Sequence, residues 1–202
     1  TNPKVEEYLV GILQKFVSYG VDGFRFDVGT RIPASFYALA RKTLGDDIIF
    51  LSESVDQERI NAFRQKGFTA RSNGELASGG RNLFYHYNSH RYLLNYLEDF
   101  DPAELQIYKC RVNLESASIP ANTSIVRAIE NHDRKRIASY TDSKQIALNV
   151  LAYSFFTKGP SFVYRDEENG QKHTPSLFDK DTVEWANDKE TYELYKKLVD
   201  LK

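Results

Sequence analysis

A chain of 202 residues, 41% hydrophobic and 27% charged, is long enough to bury a core and has the composition of a globular protein. Its net charge is −1 and it has no long Lys/Arg run, which argues against a nucleic-acid or anionic-membrane partner because both require concentrated positive charge. A single cysteine, Cys110, excludes an internal disulfide framework and a cysteine-cluster metal site, and favours a reducing, cytoplasmic location.

The first part of the chain alternates between helical and extended patterns. Pro3 lies in the first turn of a predicted helix, and Gly20 ends it. In chain order the predicted elements that follow are a strand at 21–27, a helix from Pro33 to Leu44, a strand at 48–51, a helix around Ile60, a short strand at 68–70 and a Gly-rich loop at 72–82.

The second part continues the alternation. Its predicted elements are helices at 87–97 and 102–114, a strand at 124–129, a helix at 143–156, a strand at 161–164, a long polar loop, and a helix at 189–202. Strands separated by helix-length spacers predict an α/β fold with a parallel sheet of about five strands. Because an eight-stranded barrel takes about 250 residues, this pattern fits part of a (β/α)8 barrel, with an open doubly wound sheet as the alternative.

Three acidic residues follow predicted strands: Asp27, Glu53 and Asp133. The carboxyl ends of parallel strands share one edge of the sheet, so these carboxylates are expected to converge. Two carboxylates about 5–5.5 Å apart can perform retaining glycoside hydrolysis, one as nucleophile and one as acid/base. The alternative is that each is a solvated residue or a helix cap.

Polar residues near these acids support a functional site. Arg25 and Asp27 are two apart on one strand, so both side chains face the same side, the expected barrel interior. An arginine there requires a carboxylate partner and keeps an aspartate ionised, although a purely structural ion pair would look the same. The four polar residues 130–133 follow an apolar strand, which indicates either a binding site or a surface turn.

Residues 21–28, 50–53 and 129–133 resemble three of the conserved regions of the α-amylase family, in the family's order and at similar spacing. The flanks agree: residues 2–5 resemble the segment leading into the family's third barrel helix, residues 159–164 its eighth strand, and residues 175–179 the loop after that strand. The resemblance implies that residues 1–202 form the C-terminal portion of the catalytic barrel, about strands 4–8, without the first three strands and the inserted small domain.

The resemblance also implies residue roles. Asp27 would be the nucleophile, Glu53 the general acid/base and Asp133 the transition-state stabiliser. The substrate-binding residues would be Arg25, which orients Asp27, His132, which bonds sugar hydroxyls, and Arg31, which contacts the leaving-group sugar.

The chain departs from the family pattern in two places. The family's Asp…Asn-His region and its usual calcium ligands do not occur here, so no cofactor is expected for this chain and calcium only for an intact parent. Residues 165–168, Arg-Asp-Glu-Glu, replace the family's common Asn-Gly-Gln-Glu, which puts substrate specificity in doubt. His86 and His90 have helical metal-ligand spacing, but Tyr87 replaces the Glu of a His-Glu-x-x-His site, so no metal ligand is expected.

These observations favour a retaining α-glycosidase that hydrolyses α-glucosidic bonds in glucose oligo- or polysaccharides. A transglycosylase with the same carboxylates is one alternative, and a catalytically silent fragment or relative that acts as a binding module is another. The expected partner is a carbohydrate substrate. Self-association is expected for the isolated chain, since an incomplete barrel exposes unpaired strand edges.

Overall fold

The computed structural model describes residues 2–77, 80–182 and 184–202. Within these ranges the chain has an α/β fold. The helices are α1 Pro3–Ser18, α2 Ala34–Leu44, α3 Gln57–Gln65, α4 Asn73–Leu76, α5 Tyr87–Asp99, α6 Pro102–Ala117, α7 Lys144–Phe156 and α8 Lys189–Leu201, and the strands are β1 Gly23–Phe26, β2 Ile49–Ser52, β3 Asn82–Tyr85 and β4 Thr123–Val126. Short 3-10 helices occur at Gly29–Arg31, Ile137–Ser139 and Glu167–Asn169.

The strands form one sheet in the order β1-β2-β3-β4 among the described residues. The pairs β1/β2 and β2/β3 are parallel, and Phe26 lies opposite Ser52 in the register. Parallel neighbours joined by helices are the arrangement expected of a barrel segment, because each βαβ crossover returns the chain to the same edge. The carboxyl ends of β1 and β2 therefore lie side by side.

The chain divides into two compact units. The first contains the residues up to Asn88 together with Arg111–Ile125, and the second contains Ser89–Cys110 and Val126–Lys202. Strand β4 crosses this division after Ile125.

An aromatic cluster forms the core of the first unit. The Phe26 ring lies 5.9, 5.1 and 5.2 Å from the rings of Phe36, Tyr37 and Phe50, each in an edge-to-face arrangement. Edge-to-face pairs add about 0.5–1.5 kcal/mol beyond the burial of apolar area. The cluster therefore packs α2 against β1 and β2 directly behind the ends of these two strands.

The second unit is built mainly from helices. Its α7 is rich in buried apolar residues and packs against α8, where the buried rings of Phe155 and Tyr195 lie 5.7 Å apart. A parallel bridge pairs Arg127, just after β4, with Ser161. In the described part of the chain, no helix is both long enough and apolar enough to span a membrane.

The structure confirms most predicted helices and corrects two predicted strands and one predicted loop. Residues 68–70 do not form a strand, and Phe68 instead stacks against Arg31. Residues 161–164 form only the bridge at Ser161. The predicted loop 72–82 contains α4 and ends in the first residue of β3, and its residues 78–79 lie outside the described residues. The sequence analysis missed β3, and hydrogen bonding to its neighbours is what makes this short segment a strand.

Candidate functional site

Two acidic residues follow the paired strands β1 and β2. The register places Phe26 opposite Ser52, so Asp27 and Glu53 each lie one residue beyond the end of neighbouring strands. The backbone N–H of Glu53 donates to the carbonyl of Phe26 at 2.9 Å, which continues the ladder to this point. The local backbone therefore brings the two carboxylates to the same edge.

The side chain of Arg25 joins these two carboxylates. Its Nη1 donates to Asp27 Oδ1 at 2.7 Å, and its Nη2 lies 3.1 Å from Glu53 Oε2. Both nitrogens belong to one rigid guanidinium, so the two acids are held side by side. The exposed fractions of the side chains differ: 71% for Asp27, 34% for Arg25 and 13% for Glu53. Asp27 is thus open to solvent, and the arginine expected in the barrel interior remains partly exposed.

The charge of Arg25 is stabilised by its neighbours. Partial burial acts to lower the pKa of the guanidinium, but Glu53, Asp27 and Tyr85 outweigh it and the pKa is raised above its ordinary value. Tyr85 ends β3, the next strand in the sheet. Three adjacent strand ends therefore contribute to one polar cluster around a permanent cation.

The residue after Asp27 has an unusual backbone conformation. Val28 lies in the left-handed region, with φ of 43° and ψ of 41°. This conformation costs an L-residue roughly 1–2 kcal/mol. The N–H of Val28 donates to Glu53 Oε2 at 2.9 Å. The Glu53 carboxylate thus stabilises a strained turn beside Asp27, a contact that the sequence analysis did not predict.

Gly29 is required by close packing beneath this turn. A Cβ atom at Gly29 would lie 2.8 Å from the Tyr37 hydroxyl and 3.0 Å from the Cβ of Ser52. The Tyr37 hydroxyl donates to the carbonyl of Gly29 at 3.3 Å and lies 3.1 Å from Ser52 Oγ. Burial raises the pKa of Tyr37 to about 12, which outweighs the opposing effect of its hydrogen bond to Ser52. A neutral phenol therefore supports the loop that begins with Asp27.

Arg31 lies on the 3-10 helix that follows. Its guanidinium carbon lies 5.1 Å from the centre of the Phe63 ring and 4.6 Å from that of Phe68. Cation–π contacts of this kind hold an arginine in place while its N–H groups stay available. The structure orients Arg31 through these two rings.

The other two predicted site residues belong to the second unit. His132 and Asp133 lie in the segment after β4, and their side chains are 40% and 39% exposed. His132 Nε2 lies 3.4 Å from Asp133 Oδ2. The buried Asn131 accepts the backbone N–H of Asp133 on its Oδ1 at 2.9 Å. The structure thus groups Arg25, Asp27 and Glu53 in the first unit and His132 with Asp133 in the second, and convergence of all three acids stays a prediction.

A buried ion pair joins residues on either side of His132 and Asp133 in the chain. Arg136 Nη1 donates to Glu130 Oε2 at 2.9 Å, and the exposed fractions of the two side chains are 1% and 0%. A second buried acid, Glu167, accepts the Tyr195 hydroxyl and the N–H of Tyr164. Burial, reinforced by the charge of Glu130, raises the pKa of Glu167 well above its usual range. The sequence analysis included Glu130 among the polar residues 130–133 of a binding site or surface turn, and it did not predict the buried ion pair with Arg136.

The two histidines excluded as metal ligands by sequence are both buried. The Nε2 of His90 lies 3.0 Å from the carbonyl of Ile129, at the start of the segment that carries Asp133. Burial and the charge of Arg134 lower the pKa of His90 to about 4, against the effect of this hydrogen bond, so the ring is neutral and Nε2–H donates. In the parts of the chain that the structure covers, no group of three or more His, Cys, Asp or Glu residues is placed to bind a metal ion.

Comparisons with known proteins agree on one family. The family model described as "Alpha amylase, catalytic domain" matches residues 1–201. α-Amylase 2 of Schwanniomyces occidentalis is 22% identical over 182 residues, which cover 90% of this chain and 33% of that protein.

Solved structures of α-amylases share the fold of this chain. The crystal structure of an α-amylase from Lactobacillus plantarum has a TM-score of 0.88 and 29% identity, over 99% of this chain and 48% of that one. An α-amylase from Geobacillus thermoleovorans, solved in complex with acarbose, has a TM-score of 0.75 and 16% identity, over 99% of this chain and 44% of that one. The chain thus spans between a third and a half of the length of these relatives.

Proposed function

We propose, from the finding that this chain belongs to the α-amylase catalytic-domain family, that the full-length protein is a retaining α-glycosidase. Its substrates would be glucose oligo- or polysaccharides with α-glucosidic bonds. In this proposal residues 1–202 are the C-terminal portion of the catalytic (β/α)8 barrel, about strands 4–8, and provide the catalytic carboxylates.

The observation that carries the proposal is the guanidinium of Arg25 between two carboxylates. It contacts Asp27 at 2.7 Å and Glu53 at 3.1 Å, at the carboxyl ends of adjacent parallel strands. Barrel enzymes place their active sites at this end of the strands. One guanidinium holds two carboxylates near each other, and retaining hydrolysis needs such a pair, about 5–5.5 Å apart.

The proposed reaction has two steps. In the first, Asp27 attacks the anomeric carbon as the glycosidic C–O bond breaks, and Glu53 gives its proton to the leaving oxygen. In the second, the Glu53 carboxylate takes a proton from water while the water oxygen attacks the anomeric carbon and the ester to Asp27 breaks. Glu53 ends the cycle protonated, and the sugar keeps its anomeric configuration.

The other predicted residues would assist these steps. The anionic Asp133 would stabilise the positive charge that develops on the sugar ring in the transition state, with His132 bonding hydroxyl groups beside it. Arg25 would hold Asp27 in position for attack. Arg31, stacked on Phe63 and Phe68, would direct its N–H groups to the leaving-group sugar.

The relatives support a glucan substrate. Both solved relatives are α-amylases, and one of them binds acarbose. The polar loop at residues 165–168 gives this chain its own charges, with Asp166 and Glu167 buried and Arg165 at the start. These observations support α-linked glucans as the substrate class, and the assay below measures the preferred chain length.

The test is a product assay of the full-length protein on maltose, maltooligosaccharides and sucrose. Hydrolysis should release new reducing ends, and Asp27→Asn should abolish the release. Glu193→Gln on α8 is the matched control, since it removes one exposed carboxylate that pairs with Lys196 and should leave the rate unchanged.

Two other outcomes contradict the proposal. Longer oligosaccharides formed without new reducing ends would identify a transglycosylase that uses the same carboxylates. No turnover of any of these sugars, by a protein that is folded and contains the upstream Asp…Asn-His region, would favour a silent relative that acts as a binding module.

A further inference from the structure

The segment that carries His132 and Asp133 is closed at its base by Glu130. The Oε1 atom of Glu130 accepts the backbone N–H of Ile137 at 2.6 Å, and its Oε2 accepts Nη1 of Arg136 at 2.9 Å. The buried carboxylate of Glu130 therefore joins the start of residues 130–137 to their end. We name the pair Glu130 and Arg136, with these bonds, the base clasp.

Buried groups also hold the backbone inside this segment. Asn131 accepts the N–H of Asp133 on its side chain and the N–H of Arg134 on its carbonyl at 3.2 Å. His90 binds the carbonyl of Ile129, immediately before the clasp. The backbone of Asp133 is thus fixed from within the protein, while its side chain stays open to solvent.

Arg136 extends the clasp to a second segment. Its Nη1 donates to the carbonyl of Arg165 at 2.9 Å, and its Nε donates to the carbonyl of His173 at 3.1 Å. The Tyr164 ring lies 4.4 Å from the guanidinium carbon. One guanidinium therefore connects residues 130–137 with residues 164–173, the segment whose charges distinguish this chain.

The charges around the clasp make it sensitive to substitution. The clasp buries one guanidinium and one carboxylate, and the buried carboxyl groups of Asp166 and Glu167 lie close by. Removing one partner of a buried ion pair leaves the other uncompensated, and a lysine cannot reproduce the fork of bonds that Arg136 makes. Either change should loosen both segments.

We propose that Glu130 and Arg136 are positioning residues: the base clasp holds Asp133 and His132 where the transition state needs them and couples them to residues 164–173. The inference rests on the proposed function for what Asp133 does, but the clasp itself can be tested independently. Neither residue touches the substrate in this proposal.

The test uses the full-length protein with three variants. Glu130→Gln and Arg136→Lys each break the clasp, and Val112→Ala, at a buried residue of α6 in the first unit, is a destabilising control outside it. Two properties of the folded protein are measured: affinity for acarbose, used as a transition-state mimic, and native-state hydrogen exchange of residues 130–137 and 164–173.

The two clasp variants should bind acarbose about 10–100-fold more weakly, because a displacement of about 1 Å can cost about 10²-fold. They should also exchange faster in both segments together. Val112→Ala should lower the unfolding midpoint but keep the acarbose affinity and the exchange of both segments, which separates positioning from general destabilisation.

Wild-type exchange and acarbose affinity in both clasp variants would overturn the inference. Faster exchange in 130–137 alone would disprove the coupling to 164–173. If the wild-type protein neither binds acarbose nor cleaves glucans, the proposed function fails, and the exchange measurement still decides whether the clasp holds the two segments.

Discussion

The carboxylate of Glu53 accepts the backbone N–H of Val28 at 2.9 Å. Val28 follows Asp27 directly and has a left-handed backbone conformation that an L-residue rarely adopts. The residue proposed as acid/base therefore also stabilises the turn that presents the proposed nucleophile. Substitutions of Glu53 will change both chemistry and backbone unless the new side chain keeps an acceptor at this position.

Glu53→Gln keeps such an acceptor, because its amide oxygen can bind the N–H of Val28, but it cannot donate and regain a proton as the acid does. We expect turnover of natural glucosides by the full-length protein to fall by about 10²–10⁴. The loss should be much smaller for an activated glucoside, whose leaving group needs no proton. Equal losses on both substrates would show that Glu53 is not the acid.

Arg25→Lys keeps a positive charge but loses the two-pronged geometry that contacts Asp27 and Glu53 together. We expect kcat/KM on maltooligosaccharides to fall by about 10²-fold, since a misplaced nucleophile is costly. The matched control is Arg59→Lys on α3, because this arginine is exposed and its ion pair with Asp56 is long, at 3.9 Å. A wild-type rate for Arg25→Lys would remove Arg25 from the proposed site.

The strands β1 and β2 could be predicted because each is a short extended segment followed by an acid: β2 is mainly apolar, and β1 alternates phenylalanine with Arg25. The pairing of Arg25 with Asp27 could be predicted too, because residues two apart on a strand share a face. Strand β3 could not, because its apolar residues 83–85 run directly into α5 and their pairing with β2 is a tertiary contact. The strand predicted at residues 68–70 was wrong because the Phe68 ring is not buried in a sheet: it is exposed and stacks on Arg31.

The base clasp could not be predicted from the sequence. Glu130 and Arg136 are six residues apart with a turn between them, so neither the helical nor the extended period relates their side chains. Their contact depends on the turn at residues 131–134 and on carbonyl groups from residues 165 and 173. Hydrophobic periodicity in the sequence predicts helices, strands and the ends of strands. A network of polar contacts between loops forms only in the tertiary structure and leaves no such pattern.

His90 should make the stability of the protein pH-dependent. Its pKa is lowered from 6.5 to about 4 by burial and by Arg134, so between these values the unfolded chain binds a proton that the folded chain does not. The contribution of His90 to the free energy of unfolding is complete above pH 6.5. It falls by on the order of 3 kcal/mol as the pH drops towards 4.

The variant His90→Gln keeps a donor for the carbonyl of Ile129 but does not titrate. The urea-unfolding midpoint of the full-length variant should therefore change less between pH 7 and pH 4.5 than that of the wild type. His173→Gln, at an exposed histidine paired with Asp181, should leave the slope closer to wild type. An unchanged slope in His90→Gln would mean that His90 is not buried in its neutral form.

The isolated 202-residue chain should self-associate and release little sugar. Strand β1 lies at the edge of the described sheet, and an apolar groove of about 500 Å3 runs beside it, lined by residues that include Val5, Leu9 and Phe24. Unpaired edges and apolar patches of this kind promote association. Light scattering should detect a dimer or larger species, and Leu9→Lys on α1 should weaken it.

A monodisperse monomer of this chain would contradict that expectation. So would turnover of maltooligosaccharides in the usual enzyme range of about 1–10³ per second. The control is Val199→Lys, which adds the same charge to the exposed face of α8 in the second unit and should not weaken association.

The stereochemistry of the first product tests the central proposal most directly. Proton NMR of the full-length protein acting on maltooligosaccharides can distinguish the anomers of the new reducing end before mutarotation mixes them. If Asp27 attacks the sugar and Glu53 then activates water, the α-anomer must appear first, because two displacements restore the configuration. Initial formation of the β-anomer would show a single displacement by water and would contradict the assignment of Asp27 as the nucleophile.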